Sequence, residues 1–215
     1  SVISTISSSL KIKKEMNILD DKEFYEALQN INKTSEHLSN TIDDFRNFFS
    51  PNKEMNKFYV SQLIKKSKDL IKSRFDKFNI KVIENIDDIE ILSYQNELFQ
   101  VILNLFSNSI DVLSSNEIED KIIHIKIYQD ENNLCIEFLD NGGGIKDEFI
   151  NRVFEPYFTT KHKSQGTGIG LYMSLQIVTK HLNGEISVKN DTFIHNNIKY
   201  FGAKFTILIP IYLKK

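Results

Sequence analysis

The 215 residues carry a net charge of −2 and 40% apolar side chains, enough for one or two domains with a real core and without the basic footprint of a nucleic-acid partner. The single cysteine, Cys135, excludes an internal disulfide; within Leu134-Cys135-Ile136 it is expected to be a buried thiol, and the chain fits a reducing cytoplasm. No apolar run approaches the ~20 residues of a bilayer-spanning helix, no signal peptide is visible, and the opening Ser1 suggests a fragment that itself touches no membrane, with any membrane anchor of its parent lying outside it.

Residues 1–50 are nearly free of Gly and Pro and show helical periodicity. Val2, Ile3, Ile6, Leu10 and Ile12 mark one apolar face. Asp20 and Asp21 can cap a second helix. In it Phe24, Leu28, Ile31, Leu38, Ile42, Phe45 and Phe49 recur at spacings of three, four or seven. Ser50-Pro51-Asn52 stops that helix. Two helices bury little alone, so the pattern predicts a hairpin that pairs with a second copy into a four-helix bundle.

Beyond Pro51 the pattern becomes mixed. Phe58-Tyr59-Val60 reads as a short strand, Gln62 to Phe75 as a helix, and Ile80–Ile83 and Ile89–Leu92 as strands. Gln95 to Leu113 is a long apolar helix, and Ile122–Tyr128 with Asn133–Leu139 an antiparallel pair. A helix is expected from about Gly168 to Leu182, then strands over Glu185–Lys189 and Ala203–Ile209. This order predicts an α+β sandwich, a mixed sheet with helices on one face. The domains expected are 1–52, the hairpin, and 53–215.

Six of the eight glycines lie between Asp140 and Leu171. The block reads Asp140-Asn141-Gly142-Gly143-Gly144-Ile145, then Phe154-Glu155-Pro156-Tyr157-Phe158-Thr159-Thr160-Lys161, then Gly166-Thr167-Gly168-Ile169-Gly170-Leu171. Glycines feeding an amphipathic helix gather backbone N–H groups and the positive helix end at one point, which suits phosphate. The spacing is neither that of a P-loop nor that of a dinucleotide-binding fingerprint. Asp140 closes an apolar strand, where a carboxylate can accept an exocyclic N–H of a purine; Asp-Asn-Gly is also an ordinary turn. The aromatics around Glu155-Pro156 suit a lid as well as a loop anchored to the core. Lys161 suits a phosphate as well as solvent.

Upstream, Asn104, Asn108 and Asp111 fall at i, i+4 and i+7 on one face of the long helix. A buried amide network accounts for such a stripe, and so does an oxygen-ligand site for Mg²⁺.

These four segments, in this order, resemble the nucleotide-binding motifs of sensor histidine kinases. That family shares an ATPase superfamily, with the Bergerat-type ATP-binding fold, with gyrase, the mismatch-repair ATPases and a heat-shock chaperone. The resemblance covers about residues 55 to 213, with Gly202-Ala203-Lys204-Phe205-Thr206-Ile207-Leu208-Ile209-Pro210 as the closing strand and residues 1–50 as dimerisation helices. It implies an ATP-dependent protein-histidine kinase using ATP and Mg²⁺, homodimeric through 1–50, with a response-regulator receiver domain as partner.

The resemblance also implies roles for matching positions. Asn108 ligates Mg²⁺, with Asn104 in support and Asp111 on the same face. Asp140 binds the adenine amino group, and Gly142, Gly144 and Ile145 shape the purine pocket. Residues 141–165 form the lid, anchored by Phe154 and Phe158. Gly166, Thr167, Gly168, Ile169, Gly170 and Leu171 meet the phosphates. Thr159, Thr160 and Lys161 approach the γ-phosphate, which leaves Asn104 and Lys161 as the candidates for a catalytic role.

The acceptor histidine of such kinases lies on the first dimerisation helix. Ser1-Val2-Ile3-Ser4 resembles the run that follows it, which puts the acceptor before Ser1 and predicts a chain that does not phosphorylate itself. The five histidines present fit poorly. His37 is on the second helix, His124 in a strand, His162 in the lid, His181 near a helix end and His195 in a polar loop. Two other readings stay open. An ATP-driven conformational machine of the same superfamily places a Glu where Asn104 stands, and a binding-only scaffold needs no transfer at all.

Overall fold

The computed structural model describes residues 2–48, 54–161 and 167–212. The chain divides into two compact units, Ser1–Pro51 with Tyr157–Ile169, and Asn52–Pro156 with Gly170–Lys215.

In the first unit, helix α1 spans Val2–Glu15 and α2 spans Asp21–Phe48. The break between them is chemical. Asn17 takes a left-handed backbone (φ 57°), and the Ile18 amide donates back to Lys13 O at 3.0 Å, closing α1. Asp20 then accepts the Glu23 amide at 2.7 Å, an N-cap that starts α2. Lys13 and Glu23 form an ion pair between the two helices. None of the described side chains of α1 and α2 is fully buried, and Ile12, Met16, Ile18, Phe24 and Leu28 are exposed. Two helices joined by a tight link stand where the hairpin is expected; Phe49 and the helix-stopping Ser50-Pro51-Asn52 lie outside the described residues.

In the second unit, β1 (Asn56–Tyr59) and β3 (Glu90–Ser93) pair antiparallel as a small sheet of their own. Helix α3 (Val60–Phe78) follows β1 directly and ends at Asn79, whose left-handed backbone (φ 54°) turns the chain into β2 (Ile80–Ile86). Helix α4 (Gln95–Ser115) precedes β4 (Lys121–Asp130) and β5 (Asn133–Asp140). A short helix α5 (Asp147–Ile150) leads on to α6 (Gly170–Gln176), which widens into a π-helical turn over Ile177–His181. Strands β6 (Glu185–His195) and β7 (Ile198–Pro210) complete the chain.

The main sheet has the order β2-β4-β5-β7-β6, with β2 parallel to β4 and the other neighbours antiparallel. Ile123, Ile125, Ile136 and Phe138 point to one face, where Leu98, Ile102, Leu105, Phe106 and Ile110 of α4 are equally buried. Phe106 joins the layers, edge-on to Phe75 of α3 (5.4 Å) and to Phe138 of β5 (4.9 Å). The opposite face is mixed: Ile122, Leu139 and Phe193 pack together on it, and it also carries the Lys204–Glu137 pair at 2.8 Å. The α+β class and the mixed sheet agree with the sequence reading, and Cys135 is buried as expected.

The last hairpin differs from expectation. The polar stretch after Lys189 is not a loop. Strands β6 and β7 pair without interruption from Glu185↔Leu208 to His195↔Ile198, so His195 ends a strand. The reason is the turn at Asn196 and Asn197, both with positive φ (49° and 63°), the geometry that matches the twist of a two-residue hairpin. Two further boundaries move: Val60 opens α3 instead of closing a strand, and α6 starts at Gly170 instead of Gly168.

Candidate functional site

The polar stripe of α4 separates into three environments. Asn104 donates from Nδ2 to Ser174 Oγ of α6 at 2.7 Å, and its Oδ1 lies where a Cβ on Gly170 would stand. A side chain at position 170 would have to displace the Asn104 amide. Asn108, one turn along, has its Nδ2 buried with no hydrogen-bond partner. A buried amide left this way is costly unless a ligand completes it. Asp111 pairs with Arg74 of α3 at 2.8 Å, and the same guanidinium reaches Ser107 at 3.0 Å.

Asp140 ends β5 at 4% exposure. Burial pushes its carboxyl above the usual aspartate range, opposed by hydrogen bonds from the amides of Gly142 and Ala203 and from Ser109. Gly142 N–H donates to Oδ1 at 2.9 Å and Ser109 Oγ–H to Oδ2 at 3.3 Å. The loop that follows is fastened at each end by asparagines. Asn141 accepts the Ile122 amide (2.8 Å) and donates to Asp120 O (2.6 Å). Asn116 donates to Gly142 O at 2.8 Å. Asn190 of β6 holds both backbone groups of Ile145. A side chain at Gly142 would strike Val112 of α4, and Gly144, at φ 80°, faces Asn190 and Phe201. The loop therefore lies close against its walls, with backbone and not side chains at its surface.

Phe154 packs edge-on to Phe205 of β7 at 6.4 Å. The residues from Tyr157 to Ile169 belong to the other unit and have their own local order. Tyr157 sits at φ 65° with its amide donating to Gly168 O at 3.0 Å. Gly168 has φ 67° and its α-carbon abuts the Tyr157–Phe158 peptide, so a side chain there meets both a forbidden conformation and backbone. Thr159 Oγ1 accepts the Lys161 amide at 3.1 Å, and Thr167 Oγ1 accepts that of Ile169 at 3.4 Å. Phe158 and Lys161 are half-buried and Thr160 is exposed. Leu171 is the second residue of α6. Gly166 and His162 lie outside the described residues.

Residues 93–213 match the family model described as histidine kinase-, DNA gyrase B-, and HSP90-like ATPase. The chain belongs to this ATPase family. It is 30% identical over 155 residues to sporulation kinase E of Bacillus subtilis, covering 71% of this chain and 19% of that protein. It is 26% identical to the signal transduction histidine-protein kinase AtoS of Escherichia coli, covering 86% of this chain and 29% of that protein. The chain thus spans less than a third of either relative. Among solved structures, the nucleotide-free catalytic domain of histidine kinase ThkA superposes with a TM-score of 0.61 at 25% identity, over 74% of this chain and 97% of that one. Histidine kinase ThkA in complex with response regulator TrrA superposes with a TM-score of 0.72 at 22% identity, over 98% of this chain and 58% of that one, which shows the shared fold.

Within this ATPase family fold, the second unit brings Asn104, Asn108, Asp140, the first glycine cluster and Gly170 onto neighbouring elements. Among the described residues no cluster of three or more His, Cys, Asp or Glu could hold a metal by itself. The unpartnered atom of Asn108 is Nδ2, an N–H donor that suits an oxygen acceptor and not a metal ion. Several residues escaped the sequence reading. Ser109 carries a hydroxyl to Asp140, Ser174 fixes Asn104, and Gly202 leaves no room for a Cβ against the Asp140 carbonyl. Ser109 adjoins Asn108 on the same apolar helix, which is the one signal that pointed to it.

Proposed function

We propose that this chain is the ATP-binding core of a sensor histidine kinase. It binds Mg-ATP and presents the γ-phosphoryl to a histidine, for relay to a response-regulator aspartate. The observation that carries the reading is the buried carboxylate of Asp140 beside a loop whose glycines leave backbone, and no side chain, against Val112, Asn190 and Phe201. Asp140 accepts the adenine amino group, and Gly142, Gly144 and Ile145 form the purine floor. Asn108 holds Mg²⁺ through its amide oxygen, with Asn104 steadying the α4–α6 junction and Asp111 holding the far end of the stripe. There the ion would supply charge neutralisation for the phosphates. Gly166, Thr167, Gly168, Ile169, Gly170 and Leu171 offer backbone N–H groups to the phosphates, and Thr159, Thr160 and Lys161 stand for the γ-phosphate. The lid over 141–165 hangs on Phe154 and Phe158. The rate gain comes from positioning and charge neutralisation.

His124, His181 and His195 belong to elements of the second unit and not to the helices that the resemblance gives the acceptor. His124 stacks on Phe193 at 5.3 Å, His181 pairs with Glu97 at 2.9 Å and His195 closes β6. Nothing in this chain's helices is long and apolar enough to cross a membrane among the described residues; the reading places the kinase core in the cytoplasm. Calorimetry tests it directly. Mg-ATP binds the unaltered chain, Asp140→Ala weakens it at least about tenfold, in line with a lost buried hydrogen bond to a charged group, and Asn108→Ala removes the Mg²⁺ dependence. Labelled ATP leaves no acid-labile phosphate on the chain itself. Steady ATP turnover would instead favour the conformational machine, and no binding the scaffold.

A further inference from the structure

The loop that Asp140 opens has a fastening that the nucleotide reading does not use. Asn190, in the middle of β6, reaches across to Ile145 and satisfies both of its backbone groups. The Ile145 amide donates to Asn190 Oδ1 at 2.8 Å, and Asn190 Nδ2 donates to Ile145 O at 2.7 Å. The side-chain amide thereby mimics one rung of a β-ladder, with donor and acceptor both matched. A free loop backbone can drift; a two-point clamp fixes both position and direction. The clamp also sets the loop's closest approach. Asn190 Oδ1 stands 2.6 Å from where a Cβ on Gly144 would be, and Phe201 of β7 stands 3.0 Å from it. Asn190 and Phe201 belong to the same β6–β7 hairpin, beside the Asn190↔Ala203 register, and Ala203 in turn donates its amide to Asp140.

We propose that Asn190 is a positioning residue for the base of the bound nucleotide: by clamping Ile145 it holds the Gly142–Ile145 backbone at the height that a purine on Asp140 requires. This rests on the nucleotide reading above and adds a residue of the hairpin to it. The hairpin is thus a working wall of the site as well as the edge of the sheet. The Asn190 side chain bonds to the backbone of Ile145, so its effect is assigned to the base and ribose half of the ligand.

The test uses the full chain and two readouts. Amide hydrogen exchange without nucleotide is expected to show Ile145 protected in the wild type and exchanging about tenfold faster in Asn190→Ala, the order expected for one lost internal hydrogen bond. Calorimetry at a temperature well below unfolding is expected to show adenosine and Mg-ATP losing affinity by the same factor, about tenfold, in that variant. Asn190→Asp keeps the acceptor for the Ile145 amide and loses the donor, so its affinity is expected between the two. Unchanged Ile145 exchange in Asn190→Ala overturns the clamp. Faster exchange with unchanged adenosine affinity overturns the positioning role, as does a loss confined to Mg-ATP. A wild-type chain that binds neither ligand, yet shows the Ile145 effect, overturns the nucleotide reading and with it the positioning role, while the exchange result still stands for the clamp alone.

Discussion

At Asp140 burial and ligand binding pull on the same proton. Burial lifts the carboxyl above the ordinary aspartate range, and the hydrogen bonds from Gly142, Ala203 and Ser109 oppose that without cancelling it. Between the ordinary value and the raised one, the folded chain keeps a proton that the unfolded chain has already lost. Stability therefore falls as pH rises through that window. Affinity for a purine amino group runs the other way, because a carboxylate accepts more strongly than a carboxylic acid. Denaturant midpoints measured as pH rises from the ordinary aspartate value should fall while nucleotide affinity climbs, and Asp140→Asn should flatten both trends. Equal slopes in the variant and the wild type would show that other groups carry the pH dependence. Removing the hydroxyl in Ser109→Ala should push the window higher still.

The junction of α4 and α6 is built on one short contact. Gly170 begins α6 with Asn104 Oδ1 where a Cβ would sit, while Asn104 Nδ2 is spent on Ser174. An alanine at 170 regains some helix propensity, worth up to about 1 kcal/mol. The displaced amide costs more, roughly 1–3 kcal/mol by the usual price of overpacking. Gly170→Ala should therefore destabilise the chain, and in an Asn104→Ala background the same change should become neutral or stabilising. Urea unfolding of the four-member cycle measures it; simple additivity would mean that the helices shift apart without strain. The β6–β7 hairpin shows the same dependence on a local device. Asn196-Asn197 supplies two left-handed residues, and with them the strands run to 11 and 13 residues and carry Asn190 to the glycine loop.

For the whole chain the open question of assembly falls on the first unit. Ile12, Met16, Ile18, Phe24 and Leu28 stay exposed on the helical hairpin, an apolar surface that two helices cannot cover alone. A homodimer through residues 1–50, the assembly expected from the sequence pattern, would cover it. Sedimentation of the full chain should give a dimer, and Ile12→Glu with Leu28→Glu should give a monomer that still binds Mg-ATP with unchanged affinity. A monomeric wild type, or a nucleotide affinity that follows the dimer, would contradict that separation of roles.

The chain's order along one dimension determined a great deal of this. Period-3.6 and period-2 apolar patterns marked α4, β4 and β5, because those elements bury one face and the pattern is written locally. Glycines 142, 144, 168 and 170 were legible because backbone close to a wall, or at positive φ, excludes other residues. Tertiary structure alone decided the partners. Asp111 turned to Arg74, 37 residues away, Asn104 to Ser174, 70 away, and Asn190 to Ile145, 45 away. An asparagine or aspartate reads the same in sequence whether it caps a turn, waits for a metal or clamps a loop. Which of these it does depends on the one donor or acceptor that folding brings within 3 Å, and no local pattern encodes that distance.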